Sequence, residues 1–359
     1  MSPLTLSVCL KYRALAFFLL FFQVGFGQYN FTELDKEFQA KQKLLGNDIV
    51  FIIWKGDSTV YKKEIGDFNA KTVAPIASCS KWLTAALVMQ FIDEGKLSLD
   101  DKVSRWIPAI ESYGKGYITI RHCLSHMTGI SDNDNFLKRM VQRSKFTSLE
   151  EEVNKFASRE IRANAGTDFW YGNIGLNIAA RVLEVISKKR FDLLIKQKLF
   201  TPMGMRKTSF STTDNTAPNP SGGAVSTADD YMRFLVMLLN KGKYEGKQIL
   251  SEKAVAQLRE IQTTSYDIKY APKAAQGFNY ALGSWVVEEN TQSPKNAAGK
   301  MEAAALASPG LFGTWPMVDF CRGYAYIVFV KNLLGEERAD AHMALKKIID
   351  KQVTSSCAK

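Results

Sequence analysis

Ser78-Cys79-Ser80-Lys81 opens a segment of helical character that runs to about residue 94, with Leu83, Leu87 and Phe91 near the helical repeat and Gly95 placed as a stop. Positions three apart share one face of a helix, so Ser78 and Lys81 fall within hydrogen-bond reach while Cys79 turns away by roughly 100°. A serine hydroxyl is a weak nucleophile that needs a base, and lysine can serve where burial disfavours its ammonium form. The backbone N–H at a helix start points outward unpaired and can stabilise a developing oxyanion. Taken alone, the four residues have a plainer explanation, a capping serine beside a solvated lysine. The sequence around them has to decide.

Upstream, Phe31 to Leu45 is a polar helix candidate, followed by Asp48 to Trp54, rich in Ile, Val and Phe. The turn Lys55-Gly56-Asp57-Ser58 then leads into Thr59 to Ile65, which predicts a hairpin. Downstream the chain is mostly helical segments and loops as far as residue 262, the clearest helices being Ile174 to Ser187, Asp229 to Asn240 and Glu252 to Ile261. Strand character returns in Tyr280 to Glu288, Ala304 to Thr314 and Gly323 to Val330, before a last helix near Glu336 to Lys351. Two early strands, three late ones and terminal helices predict an α+β arrangement: one sheet assembled from both chain ends, with a helical lobe inserted. The lobes divide at about 28–75 and 276–359 for the sheet and 76–275 for the helices. Asp214 to Gly223 and Thr263 to Gly277 are the loops most able to vary or move.

The chain has 359 residues, 46% of them hydrophobic, enough for one large domain or two lobes sharing a core. Lys11 and Arg13 precede the apolar run Ala14 to Phe22 and then Gly25-Phe26-Gly27, the pattern of a cleaved secretory signal over residues 1–27. The run is shorter than a bilayer span. Losing Lys11 and Arg13 would lower the net charge from +11 to +9. No dense basic run, zinc spacing or aromatic-basic motif accompanies that charge, so no nucleic-acid partner is expected. Beyond Cys9 there remain Cys79, Cys123, Cys321 and Cys357, with no CxxC pair or metal-ligand spacing. All three pairings of these four are open. The first three lie in apolar stretches, which predicts buried free thiols there, and Cys357 lies in the tail.

Tyr171-Gly172-Asn173 precedes the helix at Ile174, where a loop tyrosine could pass a proton between nucleophile and leaving group. The alternatives are a core aromatic beside Phe169 and Trp170, and an N-cap role for Asn173. His122 and His126 are four apart, but no acidic residue completes an HExxH zinc site, and His342 falls in the last helix. Neither a histidine base nor a metal or other cofactor is expected.

At these residues the chain resembles the serine β-lactamase and penicillin-binding protein family, in the branch with class C β-lactamases, D,D-peptidases and esterases. Ile76 to Lys81 looks like its SxxK motif, and Phe169 to Gly175 looks like its YxN segment. Asp93 to Asp101 with Cys123 to Ile130, and Gly222 to Asp230, are similar to later segments in family order. The resemblance implies a β-lactamase-like fold and an acyl-enzyme route in which Ser78 attacks, Lys81 and Tyr171 handle protons, and Asn173 orients the substrate. His126 matches a position that looks structural.

The third motif departs from the family pattern. Where a Lys-Thr-Gly or His-x-Gly strand is usual, this chain offers Ser308-Pro309-Gly310, followed by Leu311. The cation that would bind a substrate carboxylate is missing, and a charged hydrogen bond is about twice as strong as a neutral one. Ser308 and Gly310 are expected to line the substrate site, with the Leu311 N–H as second oxyanion donor beside that of Ser78. Pro309 offers no N–H. Arg322 on the following strand is the one candidate to supply the cation, against the plainer expectation of a structural charge.

The resulting expectation is a secreted, periplasmic serine hydrolase acting on a small neutral ester. A D,D-peptidase or β-lactamase is the second reading, with a peptide or lactam as substrate. A non-catalytic envelope-binding homologue is the third. Residues 131–165 and 263–279 match the family least and are expected to form the rim or lid of the pocket.

Overall fold

The turn at Gly56-Asp57, with φ of 57° and 65°, is the mirror-image type that matches strand twist. It joins β1 (Ile49–Lys55) to β2 (Ser58–Ile65) as the sequence predicts. A computed structural model describes residues 29–132, 146–212, 214, 216–292, 295, 299–333 and 335–357. The expected signal segment, and residues 133–145 of the expected rim, lie outside the described residues. Phe31 onward forms one compact unit.

The sheet continues with β3 (Asn279–Tyr280), β4 (Trp285–Glu289), β5 (Ala303–Ala307), β6 (Trp315–Asp319) and β7 (Tyr324–Val330). All neighbours are antiparallel, in the order β2-β1-β7-β6-β5-β4-β3, so the first and last parts of the chain meet where β1 pairs with β7. The sequence expectation of three late strands needs correction in two places. Tyr280 to Glu288 is a hairpin, broken where Gly283 takes φ +82° and Ala281 N–H donates to Ser284 O. Ala304 to Thr314 is strand only to Ala307, and Trp315–Asp319 forms a further strand in the middle of the sheet.

Both sheet faces are covered, which is why its central strands read as unbroken apolar runs. Val50, Ile52, Val318, Ile327 and Phe329 face the main core. There α5 (Ala228–Leu239) packs against β7 and β6. On the other face Phe51 meets Phe38 of α1 (Thr32–Leu45) at 5.3 Å between ring centroids, and Trp315 stacks on His342 of α7 (Ala339–Gln352) at 4.3 Å. The helical part includes α2 (Ser80–Asp93), α3 (Leu149–Ala157), α4 (Ile174–Ser187) and α6 (Glu252–Arg259). In α2, 12 of 14 residues are buried. It is therefore a central core helix rather than an amphipathic surface one. Gly95 ends it as expected: Gly95 N–H donates to Ile92 O and Lys96 N–H to Phe91 O, the paired bonds of a left-handed helix stop.

Cys321 and Cys357 form a disulfide, which corrects the expectation of a free thiol at Cys321 and ties the tail after α7 to the β6–β7 turn. Cys79 and Cys123 are buried and free. Beside the disulfide, oxygens of Glu288, Asp319 and Asp350 lie within 4.8 Å of one another. The ammonium of Lys346 sits among them, donating to all three at 2.7–3.0 Å, so a side-chain cation occupies the centre.

His342 is fully buried, and neither ring nitrogen has a hydrogen-bond partner among the described residues. Burial pushes its imidazole from the usual 6.5 down to about 3. The folded chain thus binds fewer protons here than the unfolded chain between about pH 3 and 6.5, so stability falls as pH drops through that window. At pH 5 the penalty is about 2 kcal/mol. The nearby charged group on α7 is Lys346, and the Tyr326 hydroxyl is engaged with the His342 carbonyl. Urea unfolding of His342→Phe, which keeps a ring on Trp315, is expected to remove about that much of the difference between pH 7 and pH 5. An unchanged difference would assign the acid sensitivity elsewhere.

Candidate active site

A short 3-10 turn, Ala77–Cys79, leads into α2 and carries Ser78. Ala77, immediately before it, has φ +44°, a left-handed conformation that costs a non-glycine residue about 1–3 kcal/mol. The surroundings hold the turn in place. Tyr231 Oη donates to Cys79 O at 2.8 Å, Ala224 N–H donates to Ser80 Oγ at 3.1 Å, and Cys79 Sγ donates to Thr314 O at 3.4 Å. Ser78 itself stays partly exposed.

Lys81, 2% exposed, places Nζ 3.1 Å from Ser78 Oγ. Its other near acceptors are Ser221 O at 2.8 Å and Asn173 Oδ1 at 3.4 Å. Asn173 stands at the N-cap of α4, yet its side chain makes no capping bond. It turns to the lysine instead. A missing cap costs about 1 kcal/mol, so the position favours the site over the helix. The ring of Tyr171 lies under Lys81, 4.8 Å from Nζ to its centroid. Tyr171 is braced from behind by Trp285 at 5.1 Å and by His126 at 4.7 Å.

Ser221 was not singled out from the sequence. Its contribution to Lys81 is a main-chain carbonyl, which leaves no side-chain signature. The segment expected to be a variable loop is in fact tied to α2 here, since Thr84 Oγ1 also donates to Pro220 O at 2.7 Å.

The third segment lies against Ser78. Ser308 Oγ lies 3.4 Å from Ser78 O, and Leu311 opens the turn that follows, closed by Gly310 N–H to Thr314 O at 2.9 Å. Gly310 presses so closely on the nucleophile turn that an added Cβ would lie 2.3 Å from Ile76 O. Only glycine lets the two backbones approach that far.

Arg322 does not supply the missing cation. Its guanidinium is held by Glu288 and Asp319 at 2.9 Å, beside the Lys346 cluster, and its pKa is raised: burial opposes the charge, and these carboxylates more than offset it. Among the described residues no histidine hydrogen-bonds to Ser78. His122 closes a capping box with Thr119 at the helix Ile120–Leu124. His126, in left-handed backbone at φ +57°, shares a 3.1 Å hydrogen bond with Tyr280 Oη. Burial, and then the nearby charge of Lys81, hold its imidazole well below the usual range. It stays neutral behind Tyr171.

A serine and a buried lysine in contact, a tyrosine ring against the amine and a close-packed third segment are thus brought together in one place. The family model for Beta-lactamase matches residues 31–349. The chain belongs to the β-lactamase family. Members of this family are serine hydrolases. Protein Rv1367c of Mycobacterium tuberculosis is 24% identical over 330 residues, covering 75% of this family member and 82% of its own length. A β-lactamase homologue from Bacteroides dorei superposes with a TM-score of 0.76 at 26% identity, over 90% of this chain and 99% of that one. EstCE1, a hydrolase with promiscuous acyltransferase activity, superposes at 0.71 with 20% identity, over 88% and 98%. At that identity the likeness is one of fold.

Proposed function

We propose that this β-lactamase-family chain is a secreted serine hydrolase that forms an acyl-enzyme on Ser78 and cleaves neutral carboxylic esters. One observation carries the chemistry: Lys81 Nζ touches Ser78 Oγ while it also reaches the acceptors Ser221 O and Asn173 Oδ1. Once it has given up its proton, the amine keeps both acceptors with its N–H bonds and offers its lone pair to the serine hydroxyl. Ser78 Oγ then attacks the ester carbon as its proton passes to Lys81. The N–H groups of Ser78 and Leu311 receive the oxyanion. Tyr171 relays the proton to the departing alkoxide, and water releases the acyl group by the reverse path.

Preference for neutral substrates follows from Ser308 in place of a cation and from the engagement of Arg322 elsewhere. Secretion to an oxidising compartment such as the periplasm is supported by the Cys321–Cys357 disulfide. Among the described residues no helix is long and apolar enough to cross a membrane.

Labelling with a fluorophosphonate probe, followed by mapping of the adduct, tests the assignment. The adduct is expected on Ser78, with both labelling and p-nitrophenyl ester hydrolysis lost in Ser78→Ala. Labelling that survives the substitution would overturn it. Turnover of a D-Ala-D-Ala peptide or a cephalosporin at a rate matching that of esters would favour the peptidase or β-lactamase reading.

A further inference from the structure

Behind Lys81 the core holds a chain of three polar side chains. Ser221 and Asn177 are fully buried, and Glu152 is 3% exposed. Glu152 lies on α3, and Asn177 stands one turn beyond Asn173 on α4, the helix against which α3 packs. Asn177 Nδ2 donates to Glu152 Oε2 at 3.0 Å, which turns the amide oxygen away from the carboxyl and toward Ser221. The Ser221 hydroxyl has one hydrogen and two acceptors within its reach, Asn177 Oδ1 at 2.7 Å and Asn173 O at 2.9 Å.

Burying a carboxyl, an amide and a hydroxyl is costly unless each is hydrogen-bonded, and satisfied together they make a rigid unit. The neighbours of Asn177 on α4 are Leu176, Ile178, Ala179 and Ala180, all buried, so packing alone does not call for an amide there. The chain ends on the amine that touches Ser78. Ser221 gives its carbonyl to Lys81 Nζ at 2.8 Å, and Asn173 gives its Oδ1 at 3.4 Å. Because the Ser221 hydroxyl bonds to the main chain of Asn173, it ties together the two residues whose oxygens flank the amine. Those residues are 48 positions apart in the chain.

We propose that Ser221, Asn177 and Glu152 are positioning residues for Lys81: the Ser221 hydroxyl, anchored through Asn177 on Glu152, fixes the spacing of the two acceptors and so holds the amine on Ser78 Oγ. The inference rests on the acyl-enzyme reading of Ser78. Without the hydroxyl, the loop around Ser221 and the start of α4 shift independently, and the amine follows whichever acceptor it keeps. A displacement of about 1 Å is enough to cost about 10²-fold in rate.

The rate of labelling by a fluorophosphonate reads the acylation step alone. Ser221→Ala is expected to lower the maximal labelling rate at least about tenfold, while the probe concentration that gives half that rate stays within about threefold. Asn177→Leu keeps the volume and leaves the hydroxyl its bond to Asn173 O, so it is expected to lower the same rate by a smaller factor. In a Lys81→Met background, adding Ser221→Ala is expected to change the residual rate by less than about threefold, because residues that act through one group are not additive. Unfolding midpoints set an assay temperature at which every variant is folded. A folded Ser221→Ala that labels within about threefold of the wild type, one that loses the same factor with and without Lys81, or an Asn177→Leu that labels at the wild-type rate would overturn the proposal. A wild type that does not label on Ser78 refutes the acyl-enzyme reading instead, so the two failures are told apart.

Discussion

Replacing Lys81 with methionine is expected to lower kcat for a p-nitrophenyl ester about 10²- to 10⁴-fold, the usual contribution of a positioned general base. Arginine at the same position is expected to be as inactive as methionine. The pair separates two roles that a lysine could play. Methionine keeps the volume of the stem and removes the nitrogen, leaving Ser221 O and Asn173 Oδ1 without their donor. Arginine restores a charge and several donors, but it cannot release its proton at neutral pH and so cannot accept one from Ser78. Recovery of activity with arginine would recast Lys81 as an electrostatic group. Because an unpaired buried acceptor costs about 1–3 kcal/mol, the unfolding midpoint of each variant has to be measured beside its rate. Loss of kcat in a chain that remains folded at the assay temperature is the informative result.

Lys346→Met is expected to have the largest effect on stability, about 3–5 kcal/mol, the cost of removing one partner from a buried charge cluster. Lys346 is 5% exposed and Asp319 is fully buried. Although burial pushes the carboxyl of Glu288 up, its bonds to Lys346 and Arg322 hold it below the usual range. Without the ammonium, Asp319 and Asp350 keep Arg322 as ion-pair partner, at 2.9 and 3.5 Å. Denaturant unfolding at neutral pH reads the loss. A change below 1 kcal/mol would mean that Arg322 alone neutralises the group. The cluster links β4, β6 and α7 on the side of the sheet away from Ser78, so ester turnover at temperatures where the variant is folded is expected to change little.

The sequence was most legible where local chemistry and tertiary context agree. Gly56-Asp57 demanded positive φ at both turn positions, and Gly95 closed α2 with the bonds that glycine permits. Ser78, Lys81, Tyr171 and Asn173, which the structure brings together, could be singled out because each contributes a side chain. Ser221 could not, since a carbonyl belongs to every residue. The strand at Trp315–Asp319 was hidden by Pro316, which lacks an N–H and argues against a central strand. Here it is accepted, with its carbonyl still receiving Ser308 N–H at 3.3 Å. Cys321 sits among apolar residues like Cys79 and Cys123, and only the return of the tail beside it distinguishes a bridged sulfur from a buried thiol.

The pairing of β1 with β7 has a consequence for how the molecule is made. Ile49 lies opposite Val330, so strands far apart in the chain pair as the second and third of the seven. Contacts so distant in sequence pay their loop-closure entropy late and fold slowly. A chain still emerging from the ribosome has Ser78 and Lys81 but lacks Ser308, Gly310 and the strand that seats them. Ser78 there has no third wall, and the first hairpin presents an open edge. The site formed by Ser78, Lys81, Ser308 and Gly310 is therefore complete only once the last strands have paired.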